Sequence, residues 1–310
     1  MTQKIILISI IVSLLIIAVG CDQPLSEQEI KEKLIEANRG LEKYSLDMFA
    51  DTQIDAEFDE NEMNESNIQS AKNLASILST EYSRKIYAQI DREYEILKIN
   101  METSRDSKGN GSKTILDSEI YVKGNDMYTK TFGSWMKTTS EKDIWNQYDD
   151  LDETIKLIES GKIELLEDET IGEKSYYVAR IEPDLDIIGE ILMENILVNS
   201  GNSSKWGDYV KSYTFTIWIK KENFLIEKVE SDMIMEITTE NMGIRALGDV
   251  KITVLSSASS EIAKLEADTE IKAPEGMDEA KDYTGMLGNI GGSEDPENSI
   301  TGNTISAVLS

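Results

Sequence analysis

Residues 213–219 read Tyr-Thr-Phe-Thr-Ile-Trp-Ile, residues 220–223 read Lys-Lys-Glu-Asn, and residues 233–237 read Met-Ile-Met-Glu-Ile. Tyr213, Phe215, Ile217 and Ile219 fall on one side of an extended chain, with Thr214, Thr216 and Trp218 on the other. That period of two marks a strand half buried against a core. Met233, Met235 and Ile237 answer from the return strand, so Asp208–Lys220 and Phe224–Thr238 are expected to form a hairpin. The same economy recurs upstream, where Thr114–Lys123, Asp126–Phe132 and Trp135–Thr138 are separated only by Gly124-Asn125 and Gly133-Ser134. Connections this short join antiparallel neighbours, because a parallel crossover needs a dozen or more residues.

Working outward, Arg84–Asp91 and Tyr94–Thr103 add strands, Lys162–Glu167 and Ser175–Glu182 pair around Gly172, and Asp249–Ser256 and Ser260–Asp268 complete the set. Ser26 and Glu29 form a capping-box signal ahead of Ile30, Leu34, Ala37 and Leu41, which recur at helical spacing. From Tyr44 the period drops to two, and Leu46, Met48, Ala50, Thr52, Ile54, Ala56 and Phe58 share a face. Asp59–Ser70 is an acidic, Asn-rich insertion, and Ala71–Leu78 adds a short helix. Amphipathic helices are expected at 26–43, 141–160 and 186–198. About ten antiparallel strands with three main helices predict one α+β domain, residues 21–274, in which a single strongly curved sheet supplies the apolar surface that the helices cover. From Pro274 the chain gains Gly, Asp and Glu and loses periodicity, so 275–310 reads as a polar, mobile tail.

Composition removes whole classes of chemistry. The chain has 310 residues, 31 Lys+Arg against 59 Asp+Glu, a formal charge of -28, 40% hydrophobic residues, one Cys and no His. The acidic balance argues against nucleic-acid binding, which depends on basic patches. Without His there is no Ser-His-Asp triad, Cys-His dyad or His-ligated metal, and a lone Cys forms neither an intrachain disulfide nor a Cys-only cluster. The acidic runs Asp59–Glu62, Asp149–Glu153 and Glu164–Glu169 lack EF-hand ligand spacing with its central Gly and read as solvated charge. Gly109-Asn-Gly111 and Gly291-Gly292 read as turns, since no strand, helix or phosphate-binding Lys frames them. Carboxylates are so abundant that no pair stands out as a hydrolase dyad. No catalytic residue, cofactor or metal is expected.

The first twenty residues address the chain. Lys4 precedes an apolar run, Ile5–Val19, that has the layout of a secretory signal and is short for a permanent span. It ends in Ala18-Val19-Gly20-Cys21, which resembles the lipobox of prokaryotic lipoproteins. That resemblance implies removal of residues 1–20, lipidation of Cys21, and anchoring to the cell membrane with the body facing out of the cytoplasm, into a periplasm or the cell exterior. On an exported chain, Asn64, Asn110 and Asn202 are glycosylation candidates by their N-x-Ser sequons.

The order of elements resembles the LolA/LolB/LppX-like lipoprotein-carrier superfamily, in its uncharacterised membrane-anchored prokaryotic and archaeal branch. The residues that carry the likeness are the opening helix with Tyr44-Ser-Leu-Asp, Ile120-Tyr-Val-Lys-Gly-Asn-Asp-Met-Tyr-Thr-Lys, Gly133-Ser-Trp-Met-Lys-Thr, Leu165-Leu-Glu-Asp-Glu-Thr, Ser175-Tyr-Tyr-Val-Ala, and Tyr213–Lys221 running into Ile226-Glu-Lys-Val. The resemblance implies an incomplete β-barrel lidded by helices on its concave side, and a lipid or acyl chain as ligand between the two. Tyr213, Phe215, Ile217, Met233 and Met235 are then the candidate lining residues, Met being adaptable to irregular apolar guests. The leading expectation is a non-catalytic lipoprotein that binds or carries a hydrophobic ligand. The alternative is a sensor or scaffold that recognises a partner protein with the same fold and a filled core; an unrecognised hydrolase ranks third.

Overall fold

The computed structural model describes residues 25–58, 65–107, 112–139, 150–195, 209–238 and 250–282. They contain helices α1 (Glu27–Arg39), α2 (Glu65–Leu78), α3 (Asp150–Ser160) and α4 (Leu185–Asn195). The strands are β1 (Lys43–Phe58), β2 (Thr80–Asp91), β3 (Ile96–Ser107), β4 (Ser112–Lys123), β5 (Asp126–Thr131), β6 (Ser134–Thr139), β7 (Lys162–Leu165), β8 (Glu169–Ile171), β9 (Lys174–Glu182), β10 (Val210–Lys220), β11 (Ile226–Thr238), β12 (Val250–Lys264) and β13 (Lys281–Asp282). All belong to one sheet, in the order β13-β6-β5-β4-β3-β2-β1-β12-β11-β10-β9-β7, with β8 beside β9. Its two ends do not pair, so the barrel stays incomplete.

The expected helix start is built as the sequence implies. Ser26 Oγ accepts from the Glu29 amide at 3.3 Å, while Glu29 Oε2 accepts from the Ser26 amide at 2.9 Å. The reciprocal cap satisfies two donors that the first turn leaves open. Ile30, Leu34 and Asn38 then face inward. Ile30 and Leu34 join Leu151, Ile155 and Ile158 of α3 in one buried cluster with side chains from β4 through to β9. Laid flat, β4 and β9 would stand about 34 Å apart at the usual strand spacing. Two helices side by side cover about 20 Å. The sheet therefore bows around the α1–α3 pair, which lies on its concave side.

A second buried cluster occupies the other end of the long strands. Leu78 of α2 and Ile188 of α4 pack there on Ile54, Val210, Met235, Ile237, Val250, Ile252 and Val254. Gly161 ends α3 where a side chain would not fit: a Cβ would stand 2.7 Å from Ile181 Cγ2 and 3.0 Å from the Glu182 carbonyl oxygen. That close approach seats α3 directly on β9.

The structure changes several boundaries. The helix expected at 26–43 stops at Arg39, capped at Gly40, and Lys43 already belongs to β1; β2 begins at Thr80 rather than Arg84, and β3 runs from Ile96 to Ser107. The segment read as two strands with a break at 257–259 is one strand, β12, because Ser257, Ala258 and Ser259 hold the ladder to both β1 and β11. The chain also stays docked past Pro274. Leu265 N donates to the Lys43 carbonyl, Lys43 Nζ donates to the Ala267 and Thr269 carbonyls, and Trp135 Nε1 donates to the Glu275 carbonyl at 3.1 Å. This strap leads into β13, which pairs parallel to β6 and makes the sheet mixed at that edge. The short helix expected at 71–78 begins earlier, at Glu65. Residues 1–24, 140–149, 196–208 and 283–310 lie outside the described residues. These segments include the signal, Cys21, the start of the 141–160 helix, the end of the 186–198 helix, the rest of the tail, and Gly291-Gly292.

Candidate functional site: a trough across the inner face

Register maps the inner face row by row. One row runs Ile181, Phe215, Ser231, Ala258, Ala50, Arg84, Thr103, Leu116 from β9 to β4. A neighbouring row carries Ala179, Ile217, Val229, Ser260, Met48, Ile86, Met101 and Ser118; the row on the other side carries Tyr213, Met233, Ser256, Thr52, Tyr82, Arg105 and Thr114. Beyond them, the rows at either end are bulky and buried: Tyr44, Ile90, Leu97 and Val122 in the first cluster, and Ile54 and Val254 in the second.

The middle rows differ in kind. On β12 and β1 they present Ser256, Ala258, Ser260, Ala50 and Thr52, side chains too short to fill the space between two helix-covered clusters. Met48, Ile86, Met101 and Leu116 are half-exposed and belong to neither cluster. Among the described residues the two clusters meet toward β10, where Leu157 of α3 and Tyr213 pack against both. Among the described residues this defines a trough, walled at the β10 end and running over β12, β1, β2 and β3 to β4. Four strand intervals give it a length of about 19 Å.

The five expected lining residues all point inward, in two different settings. Phe215 and Ile217 are buried in the first cluster and Met235 in the second, all closed off by protein atoms. Tyr213 and Met233 stand at the end wall. The Tyr213 ring lies 5.9 Å from that of Phe215, and burial raises its phenol pKa against an opposing hydrogen bond with Ser231. The trough thus lies several strands away from the hairpin whose alternation is clearest. Its small-residue floor was legible only as a Ser/Ala interruption between Val250, Ile252, Val254 and Ile262, all of one parity.

Charge is partitioned between the faces. Inner-face positions of the described strands carry no Asp or Glu; Arg84 and Arg105, with Lys264 at the far end of β12 and Lys281 on the edge strand β13, are their cations. The acid is outside, where Asp51 accepts from Ser83, Glu236 pairs with Lys251 at 2.8 Å, and Glu227 takes Lys174 Nζ at 2.8 Å and the Tyr176 hydroxyl at 2.7 Å. Within the acidic run at 164–169, Glu164 pairs with Arg180, Asp168 with Lys221, and Glu169 accepts from the Trp218 indole at 3.0 Å. These carboxylates are spent on separate partners of the outer face. Among the described residues no group of three or more Asp, Glu or Cys side chains is placed to hold a metal ion. Asn64, Asn110 and Asn202, like Cys21, Asp59–Glu62 and Gly109–Gly111, lie outside the described residues.

No family model and no curated protein matches the chain. Solved structures do. The chain is similar to LprF from Mycobacterium bovis, at 13% identity and a TM-score of 0.43, over 80% of this chain and 96% of that one. It is similar to the Mycobacterium tuberculosis lipoprotein LppX at 11% identity and a TM-score of 0.39, over 80% and 100%. A putative outer membrane lipoprotein-sorting protein domain from Vibrio parahaemolyticus matches at 12% and 0.23, over 79% and 93%. At such identities and TM-scores, function has to be read from the inner face of this chain itself.

Proposed function

We propose that the protein is a non-catalytic, membrane-anchored lipoprotein that binds or carries a hydrophobic ligand, with the acyl portion lying in the trough. What supports this reading is the middle of the inner face among the described residues, where half-exposed Met48, Ile86 and Met101 lie beside the short side chains Ala50, Ala258 and Ser260, between two buried clusters. Burying a methylene gains about 0.8 kcal/mol, and an extended chain laid over this floor replaces water against both walls. Binding then loses part of that gain to ordering of the ligand. Cys21 supplies the anchor in this reading, and the acidic outer face keeps the body clear of anionic headgroups at the outer surface of the cytoplasmic membrane.

Native mass spectrometry of protein extracted gently from its membrane tests the proposal. Co-purified lipid, or uptake of an added fatty acid by stripped protein, is expected. A clean apo mass with no uptake contradicts it, and a specific protein recovered by crosslinking in its place favours the sensor or scaffold role.

A further inference from the structure

Two guanidinium groups interrupt an inner face that is otherwise neutral across the trough. Arg84 stands opposite Ala50 on β1 and Thr103 on β3; Arg105 stands opposite Tyr82, one step along the same face. Residues so placed across adjacent strands are diagonal neighbours, close enough for long side chains to act on one target. Arg105 lies over the Tyr82 ring, 5.6 Å from its centroid, which orients its planar head. Arg84 is half-buried, and burial draws its pKa down while the Tyr82 phenol opposes the shift. A guanidinium still keeps its charge throughout the physiological range.

In a chain with 59 Asp+Glu, the inner-face strand positions across the trough carry no acid and two neighbouring arginines, while Glu153 of α3 acts on Tyr213 at the end wall. Arg84 makes contacts of its own within the fold. With five N–H donors in a fork, a guanidinium engaged on one edge still offers another to an incoming acid group. The short hydroxyls Thr103 and Ser118 share the site, and Ser118 Oγ is buried without a hydrogen-bond partner among the described residues.

We propose that the trough selects amphiphiles ending in an acid group, carboxylate or phosphate, with that group held by Arg84 and Arg105 and the chain laid over Ala50 and Ala258. This deepens the carriage reading and rests on it. The chemistry excludes neutral waxes, alcohols and esters as preferred ligands.

The test uses the full chain and three pyrene-labelled probes of equal chain length: a fatty acid, its methyl ester and a lysophosphatidic acid. The wild type is expected to bind the acids about tenfold or more tighter than the ester, as charge-assisted hydrogen bonds imply. Arg105→Gln, at an exposed position, should shrink that preference severalfold, and adding Arg84→Gln should erase it, with ester binding unchanged. Arg84→Lys, with its fold checked by circular dichroism, should retain most of it. Tighter binding of the phosphate probe or of the carboxylate probe each supports the proposal and identifies the source of the acid group. Equal binding of acid and ester by the wild type, or a preference that survives the double substitution, overturns it and leaves carriage standing. If no probe binds, both readings fall together.

Discussion

Asn38 in α1 and Ile226 at the start of β11 are joined by a buried hydrogen bond, the Ile226 amide donating to Asn38 Oδ1 at 3.1 Å across 188 residues of chain. The other end of the same side chain donates to the Leu34 carbonyl at 2.7 Å and the Phe224 carbonyl at 3.1 Å. Asn38 thus pins the first helix to the turn of the hairpin, where Phe224 takes a positive φ of 60°. Among the described residues it is one of the few buried polar side chains; its bonds to the Leu34 carbonyl and the Ile226 amide are buried and that to the Phe224 carbonyl partly so. We expect Asn38→Ala to cost about 2–4 kcal/mol, since the Ile226 amide and the Phe224 carbonyl lose their partner. Urea denaturation measures it. Asn38→Asp should fare worse, a buried carboxylate replacing a donor.

Ala258 and Phe215 face the same way on the sheet, and substitution should separate binding from stability. Phe215→Ala opens the first cluster and is expected to cost about 3–5 kcal/mol. Ala258→Phe fills the trough floor at a half-exposed position, so stability should stay within about 1 kcal/mol of the wild type while fatty-acid uptake drops by about tenfold or more. Thermal denaturation and a fluorescent fatty-acid titration read the two effects.

Tyr176 gives the outer face a pH signature. Burial, first, and its hydrogen bond to Glu227 push the phenol from 10.0 up to about 12. A raised pKa means that the folded state holds the proton more tightly than the unfolded chain. The stabilisation is therefore complete below pH 10.0 and is lost as the pH rises to about 12. Absorbance at the phenolate band should show tyrosines titrating late, Tyr176 alongside Tyr213 and Tyr121, and Tyr176→Phe should reduce the late component by one phenol.

Much of the fold was legible because its signals are local. Period-two runs located the long strands, Ser26 with Glu29 marked the first helix, and Gly124-Asn125 fixed a tight turn. The trough was not, for a physical reason. Its floor is made by short side chains whose meaning depends on which strand lies beside them, and β12 sits between β1 and β11 only after the chain has closed a long loop. Ser257–Ser259 therefore read as a break, and the conspicuous aromatic and Met residues of the hairpin drew the candidate site toward what is largely packed core. Arg84 and Arg105 drew no notice among 31 cations until register placed both on one neutral face.

Cys21→Ser addresses the proposed anchor. We expect the substituted protein to lose membrane retention or to keep its signal uncleaved, as read by fractionation and intact mass. Unchanged retention with an unchanged mass contradicts lipidation at that residue.

Photo-crosslinking with a diazirine-bearing fatty acid, followed by peptide mapping, tests the central claim most directly. The trough predicts adducts on the inner face, at Met48, Ala50, Ile86, Met101, Ala258 and Ser260. Adducts confined to the outer-face side chains Phe49, Tyr87 and Leu255, or none at saturating ligand, would contradict it.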